Sequence, residues 1–325
     1  MKTKAIVLTL ILGLLFSSLS GIGFVNLAYG NFIPITIPEH NIEIKGDGNV
    51  IGTDNIRRNG TSYRFTGDIF GAIVVFCDDI VIDGAGHTLQ GNGTSTGFFL
   101  LGRNNITIRN VRISNFSMGI ELVPNYQAPD NADYSILNTD FVLQGNTITN
   151  SEYGIYDLFA QDVSISKNTI SNNNIGIFCW DSENMLVCKN NISSNGIGIK
   201  MLVCQGSVYQ NEFVNNTSQI YSDGGIYGNA PSNIIWNNDK KGNYWSDYNG
   251  TDANGDGIGD NPHIFDVNYT DPYPLIERTP TPNPKNENPA VTDPQPFPAV
   301  LAIATLSAST VAIGLAIVFF KKHRH

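Results

Sequence analysis

The chain has 325 residues, of which 32 are glycine, 15 are proline and only 15% are charged. Its 19 Lys and Arg residues against 29 Asp and Glu residues give a formal net charge of -10 at pH 7. This acidic balance argues against a nucleic-acid partner, because proteins that bind nucleic acid concentrate Lys and Arg. The four cysteines are too few and too irregularly spaced to indicate a disulfide scaffold.

Residues 1–30 have the pattern of a secretory signal. A basic start over residues 1–4 precedes an apolar run over residues 5–16 and a stretch rich in small residues that ends at Gly30. The pattern predicts that the rest of the chain is exported. Because no small-x-small triplet marks a cleavage point near Gly30, a cleaved signal and an uncleaved anchor both stay open.

A repeat with a fixed period follows this segment. Five glycines recur at equal intervals, except for one longer interval between the second and the third: Gly97, Gly119, Gly154, Gly176 and Gly198. Between them lie short alternating segments with Asn, Ser and Gly at the corners, which indicate strands and bends. A period of this size is typical of stacked coils, each with room for three short strands and three bends.

The period predicts an all-β fold: a single-stranded, right-handed parallel β-helix over residues 67–226 with coils of about 22 residues. Open end coils would expose unpaired strand edges, so we expect an N-terminal cap over residues 31–66 and a C-terminal cap over residues 227–276. The longer interval before Gly154 places an insertion within residues 123–138.

Equivalent residues of neighbouring coils should stack, because parallel strands lie about 4.8 Å apart. The predicted interior columns are Phe141, Val163 and Met185; Leu143, Ile165, Val187 and Val208; and Ile148, Ile170, Ile192 and Phe213. A further column predicts a ladder of side-chain amides at a bend: Asn146, Asn168, Asn190 and Asn211.

The outer face of the coils carries a candidate ligand-binding strip. Counting from the glycine markers places Tyr156 and Phe178 in one outward column and Trp180 in the next. Aromatic rings one coil apart can stack on sugar rings, and an exposed apolar strip marks an interaction surface. We therefore predict that these three residues bind carbohydrate or a partner of the cell envelope. The alternative is that the insertion, which carries Tyr126 and Tyr134, folds over the strip.

Asp140 and Asp162 are the catalytic candidates. They lie one period of the repeat apart and should be outward neighbours. Sugar cleavage usually needs two nearby carboxyl groups, so this pair could serve a glycosidase. The alternative is a pair of solvated corner residues. No complete set of glycosidase or lyase motifs accompanies the pair, and enzymatic activity therefore stays open.

An Asp-rich segment in the predicted C-terminal cap resembles a calcium loop. Its candidate ligands are Asp252, Asn254, Asp256, the backbone carbonyl of Ile258, and Asp260. These match the first nine positions of the loop, with Gly257 at the turn, whereas His263 stands where a bidentate carboxylate is expected. We predict a calcium ion that orders the cap; the alternative is a solvated turn.

The C-terminal residues predict a membrane anchor. Seven prolines make residues 277–298 an extended stalk. Residues 299–320 form an apolar segment long enough for a transmembrane helix, and the basic residues 321–325 predict a cytoplasmic tail. The sequence thus predicts a single-pass protein of the cell membrane whose bulk is extracellular. Asn-x-Ser/Thr triplets agree with a glycosylated exterior.

Four further segments are informative: residues 80–89 (IVIDGAGHTL), 105–110 (NITIRN), 242–248 (GNYWSDY) and 271–275 (DPYPL). These segments resemble the NosD-like right-handed β-helix family. The resemblance covers about residues 40–276 and implies a β-helix of the wider group of carbohydrate-binding and sugar-hydrolase domains. Membrane-anchored versions of the family are common on archaeal cell surfaces.

The family name also implies copper. Copper needs soft or imidazole ligands gathered together, whereas His40, His87 and His263 are scattered along the sequence. Cys179 and Met201 lie one period apart and should both face inward, so they could form a soft-metal site or simply pack together.

Taken together, these features of the sequence favour an extracellular, membrane-anchored module that binds carbohydrate or a surface partner. The alternatives are a polysaccharide lyase or hydrolase of the envelope and a copper-binding accessory protein.

Overall fold

The computed structural model describes residues 41–124, 138–222, 232–266 and 269–278. All of them lie in one compact unit, Pro34–Pro282. The described residues form strands and turns but no helix, as the alternating segments and polar corners predict.

Three strands precede the first complete coil: β1 (Ile42–Ile44), β2 (Val50–Ile51) and β3 (Ile56–Asn59). The first coils contain β4 (Ser62–Phe65), β5 (Ile69–Phe70), β6 (Ile73–Val75), β7 (Ile80–Asp83), β8 (Thr88–Gln90), β9 (Thr96–Leu101), β10 (Asn104–Arg109), β11 (Arg112–Ser114) and β12 (Met118–Val123). The later coils contain β13 (Thr139–Gln144), β14 (Thr147–Thr149), β15 (Tyr153–Leu158), β16 (Gln161–Ser166), β17 (Thr169–Ser171), β18 (Ile175–Trp180), β19 (Met185–Cys188), β20 (Asn191–Ser193), β21 (Ile197–Leu202), β22 (Gln205–Tyr209), β23 (Glu212–Val214) and β24 (Ser218–Ser222). The last strands are β25 (Asn233–Ile235), β26 (Tyr244–Trp245), β27 (His263–Asp266) and β28 (Tyr269–Asp271).

These strands wind into a parallel β-solenoid of the right-handed type with about seven turns. Each turn contributes one strand to each of three sheets. Sheet A has the order β2-β1-β6-β9-β12-β15-β18-β21-β24, sheet B has the order β25-β22-β19-β16-β13-β10-β7-β4-β3, and sheet C has the order β26-β23-β20-β17-β14-β11-β8-β5. The structure confirms the predicted β-helix.

The register follows the period in the sequence. Ile155 pairs with Ile177, and Ile177 pairs with Ile199. Ile120 pairs with Ile155 across the longer interval, so the extra residues lie between β12 and β13, as predicted. The predicted interior columns point into the solenoid, where their members are 0% or 1% exposed.

The repeating glycine lies where two coils approach closely. A Cβ atom on Gly119 would lie 2.5 Å from the carbonyl oxygen of Gly154, and a Cβ on Gly154 would lie 2.5 Å from that of Gly176. Any larger residue would push the coils apart, which explains why the glycine marks every coil of this region.

The corners of each coil use left-handed backbone conformations. One such column begins the strands of sheet B, with φ between 52° and 60°: Asp79, Asn105, Asp140, Asp162 and Asn184. Asn and Asp tolerate positive φ better than other residues that carry a side chain. The corner geometry therefore accounts for much of the Asn and Asp content.

Two ladders of buried polar side chains run along the corners. In the first, the Oδ1 atom of Asn168 accepts the N–H of Asn146 at 2.8 Å, and the same contact repeats through Asn190 and Asn211 to Asn243. This confirms the predicted ladder and extends it by one member. The second ladder, at the corner between sheets C and A, comprises Ser151, Asn173, Asn195 and Asn216.

Antiparallel pairs lie at both ends of the solenoid. β1 pairs with β2 and β3 with β4 near the N-terminus, and β27 pairs with β28 near the C-terminus. At the C-terminal end Trp245 continues an interior column by stacking on Phe213, with ring centroids 4.4 Å apart. The boundaries of the two caps stay predictions.

Several predicted segments lie outside the described residues: the signal segment, the beginning of the N-terminal cap, most of the insertion, the stalk, the transmembrane helix and the cytoplasmic tail. Within the described ranges, no helix is long and apolar enough to cross a membrane.

Candidate functional site

The outward face of sheet A carries the predicted aromatic strip. Tyr156 pairs in register with Phe178, and their rings stack with centroids 5.0 Å apart at 17°. Tyr153 packs edge-on against both rings. Trp180 lies in the next outward column and contacts Phe159, with ring centroids 5.7 Å apart. The structure thus brings the three predicted ligand-binding residues onto one surface.

The strip is covered at one end and open at the other. Val74, Phe99 and Val123 point away from the solenoid interior, yet each is 1% exposed. Phe178 is 7% exposed, whereas Tyr221, two coils further along, is 41% exposed. The part of the strip that a ligand can reach therefore lies towards the C-terminal coils.

A lysine lies between the aromatic rings of the open part. The Lys200 Nζ atom is 5.1 Å from the ring centroid of Tyr221 and 5.8 Å from that of Phe178. Trp180 and Leu202, both half-buried, form the adjacent column. Burial raises the pKa of the Tyr156 hydroxyl to about 12, so this ring stays neutral. The surface offers apolar rings with one positive charge.

Asp140 and Asp162 lie on neighbouring strands at the outer start of sheet B. Asp140 is exposed and accepts a hydrogen bond from the Thr139 hydroxyl at 2.8 Å. Partial burial, and then the charge of Asp140, raise the pKa of Asp162, while a hydrogen bond from Asn184 opposes the shift. Both aspartates have positive φ, so the corner conformation by itself explains their presence. Their catalytic role stays a prediction.

The Asp-rich segment folds as a loop stabilised by its own backbone. Asp252 accepts hydrogen bonds from the N–H groups of Gly255, Asp256 and Gly257 at 2.8 to 3.1 Å. The Asp260 side chain accepts two more, from the Thr251 hydroxyl and the N–H of Ala253. In the described structure these carboxylates accept hydrogen bonds from donors of the loop itself, and they are not grouped as a set of metal ligands. Calcium binding stays a prediction.

A carboxylic acid lies inside the solenoid. Asp157 falls between two outward residues of β15, points into the core, and is 0% exposed. Among the described residues, neither of its carboxylate oxygens has a hydrogen-bond partner. The hydroxyl of Ser182 is close, but it donates to the Trp180 carbonyl at 3.4 Å. Burial raises the pKa of Asp157 to about 7, and the Ser182 hydroxyl and Ala160 N–H offset only part of that shift.

Comparison with protein-family models gives one match, to the periplasmic copper-binding protein (NosD) family, over residues 40–250. The matched region covers more than half of the chain and includes all of the complete coils. The chain belongs to the NosD family. No curated protein and no solved structure matches it.

The copper named in the NosD description requires a suitable set of donors. Within the described ranges, no three or more His, Cys, Asp or Glu side chains are grouped so that they could hold a metal ion. His87 contacts Asp68 and His263 contacts Asp247, each at 3.6 Å, near opposite ends of the solenoid. His40 lies outside the described residues. His87 and His263 therefore do not meet in a common metal site.

The soft donors of this NosD-family chain lie in the core. Cys179 and Met201 pair in register, as predicted, and both are 0% exposed. Cys179 interacts with the thiol of Cys204 and with Asp157. Thiols and thioethers are donors that suit Cu(I), but Cys179, Met201 and Cys204 are all 0% exposed.

Sequence reasoning missed the buried Asp157 and the partner of Cys179. The signal for Asp157 was its position between two outward residues, but a carboxyl group in a core contradicts the usual burial pattern. Cys204 was missed because it lies further from Cys179 along the chain than one period, whereas the predicted columns join residues that are about one period apart.

Proposed function

We propose that this NosD-family solenoid works outside the cytoplasmic membrane as a binding module for carbohydrate or another component of the cell envelope. The predicted secretory signal and the periplasmic description of the family support the location. The predicted stalk and transmembrane helix would hold the solenoid at the membrane surface. The proposal places the binding site on the open part of the strip, formed by Trp180, Lys200, Leu202 and Tyr221.

The observation that carries this proposal is the arrangement of rings on the outer face of sheet A. Tyr221 is exposed and Trp180 is half-exposed, and they lie on strands two apart in the same sheet. Strands at about 4.8 Å spacing place these rings about 10 Å apart along the solenoid axis, in adjacent outward columns, so that a sugar chain would contact both by crossing the strip obliquely. Lys200, between them, can donate hydrogen bonds to hydroxyl or carboxylate groups.

Binding to a glycan array and to envelope fragments of the source cells tests this proposal. Trp180→Ala with Tyr221→Ala should weaken binding at least about tenfold, because each aromatic contact is worth on the order of 1 kcal/mol. Phe178 is a poor target, since it is buried and its loss would disturb the packing of Tyr156.

A matched control is available on another sheet. Phe70 is 72% exposed and belongs to β5 of sheet C, so Phe70→Ala removes an exposed ring far from the strip. Binding that falls equally in Phe70→Ala and in the double variant would remove the proposed site. Binding unchanged in the double variant would do the same.

Copper handling is the second candidate, favoured by the family description alone. Metal analysis of the full-length protein purified without chelator separates it from the first. Stoichiometric copper would promote this candidate, and it would have to involve residues outside the described ranges or the core sulfur atoms.

A further inference from the structure

Two thiols face each other inside the solenoid. Cys179 in β18 and Cys204, at the corner after β21 in the next coil, are both 0% exposed. Burial, and then the interaction with the Cys204 thiol, raise the pKa of Cys179 well above its usual range. Their remaining contacts are weak: Cys179 Sγ lies 3.7 Å from the Lys200 carbonyl, and Cys204 Sγ lies 3.5 Å from the Leu202 carbonyl.

The architecture of the corners explains why these two side chains meet. At each corner, an inward residue is followed three positions later by a corner residue whose side chain also points inward. Because the coils stack in register, the corner side chain of one coil lies beside the inward residue of the preceding coil. At the other two corners this relation is seen directly, since Asn168 Nδ2 donates to the Leu143 carbonyl at 2.8 Å and Asn173 Nδ2 donates to the Ile148 carbonyl at 3.1 Å.

At the corner between sheets A and B the same relation links Asp157 to Ser182 and Cys179 to Cys204. Asp157, Cys179 and Met201 are successive inward residues of sheet A. Backbone hydrogen bonds hold the corner residues in register: the N–H of Gln205 donates to the carbonyl of Ser182 at 2.9 Å. The register of the coils therefore brings the two thiols together.

We infer that Cys179 and Cys204 form a disulfide bond inside the solenoid that joins two neighbouring coils at the corner between sheets A and B. The inference goes beyond the proposed binding function and shares with it only the location outside the cytoplasm, where disulfides persist. The bond would close a loop that contains the end of β18, all of β19 and β20, and β21. It leaves Cys77 and Cys188 as thiols.

The oxidant is a disulfide of the exterior, either a small molecule such as glutathione disulfide or a thiol–disulfide oxidoreductase. One cysteine thiolate attacks the oxidant and releases its first thiol, and the second cysteine then attacks the mixed disulfide and releases the other. Two electrons and two protons pass to the oxidant. Because both sulfur atoms are inaccessible in the folded protein, the exchange takes place before the coils close over them.

Thiol counting in the full-length protein tests this inference. The protein is refolded in detergent with a glutathione redox buffer, unfolded in guanidinium without reductant, and treated with a maleimide. We expect two of the four cysteines to react, and all four after reduction. Peptide mapping should recover one linked pair that contains Cys179 and Cys204. The use of glutathione makes the result independent of the cellular location.

Serine variants provide the controls. Cys204→Ser should leave three reactive thiols without reductant, and Cys188→Ser should leave one. Serine fits position 204, because Ser182 and Ser232 occupy the equivalent corner positions in the neighbouring coils. Four reactive thiols in the unreduced protein would overturn the inference, as would a linked pair that includes Cys77 or Cys188. Stoichiometric copper that is lost in Cys204→Ser would also overturn it.

Discussion

The carboxylate of Asp271 accepts the backbone N–H of Asn243 at 2.7 Å and thereby ends the amide ladder that begins at Asn146. The same carboxylate accepts the indole N–H of Trp245 at 2.9 Å and the N–H of Tyr273 at 3.0 Å. Asp271 is 0% exposed. One side chain thus connects the last coil, the interior aromatic column and the C-terminal segment.

Removal of this carboxylate should destabilise the solenoid strongly. Asp271→Ala leaves three N–H donors without this acceptor, two of them buried, and we expect a loss of about 3–5 kcal/mol in the free energy of unfolding, measured by urea denaturation. Asp271→Asn should cost less, because its amide oxygen can still accept from Asn243. Asp54→Ala, an exposed site, should change the free energy by less than about 0.5 kcal/mol. Equal losses in Asp54→Ala and Asp271→Ala would contradict this role.

A ladder position in the middle of the solenoid should also be sensitive. Asn190 accepts from both nitrogen atoms of Asn168 and donates to the Ile165 carbonyl at 2.8 Å. Asn190→Ala should cost about 3 kcal/mol, and Asn190→Asp should cost at least as much despite its equal size, because a carboxylate oxygen would face that carbonyl. Asn174→Ala at an exposed neighbouring position provides the control for urea denaturation. If Asn190→Asp loses little unfolding free energy, then the shape of the side chain, and not its hydrogen bonding, determines stability at this position.

The buried acid in the core should make stability depend on pH. The pKa of Asp157 is raised from 3.8 to about 7 in the folded protein. The folded state therefore holds the proton over a pH range in which the unfolded state has lost it, and stability falls as the pH rises from about 4 to about 7. The loss from this one group is on the order of 4 kcal/mol.

Asp157→Asn isolates this effect from the other carboxyl groups. Asp47 and Asp68 have lowered pKa values because of hydrogen bonds from backbone N–H groups, and they act in the opposite direction. As the pH rises from 4 to 8, the unfolding free energy of Asp157→Asn should therefore increase relative to that of the wild type. A difference that stays constant over this range would show that Asp157 is ionised in the core.

Calcium should bind the Asp-rich loop and raise the melting temperature of the protein. Isothermal titration calorimetry on chelator-treated protein should detect one site, and Asp256→Ala should abolish it, because Asp256 contributes a carboxylate whose loss removes few backbone contacts. Asp252→Ala should affect the loop even without calcium, since Asp252 accepts three N–H groups. No heat of binding and no shift in melting temperature would remove the predicted site.

The coil geometry was predictable because one steric constraint repeats. The glycine markers lie where a Cβ atom would strike the next coil, so the register of Gly154 and Gly176 determined the pairing of the residues on either side. The antiparallel pairs β1–β2 and β27–β28 were not predictable in this way, since they fall outside the period. The same register predicted that Tyr156, Phe178 and Trp180 lie on one surface. The burial of Phe178 was not predictable, because it depends on neighbouring side chains and not on the alternation of inward and outward residues along a strand.

The two amide ladders give the solenoid a direction. In the first ladder, the backbone N–H of each Asn donates to the side-chain oxygen of the Asn in the following coil. These hydrogen bonds all point from donor to acceptor towards the C-terminus, where the carboxylate of Asp271 accepts the last one. Because the ladders have this direction, an additional coil could be inserted only in the same orientation and before the coil that contacts Asp271. Growth by internal duplication is therefore compatible with the fold, whereas inversion of a repeat is not.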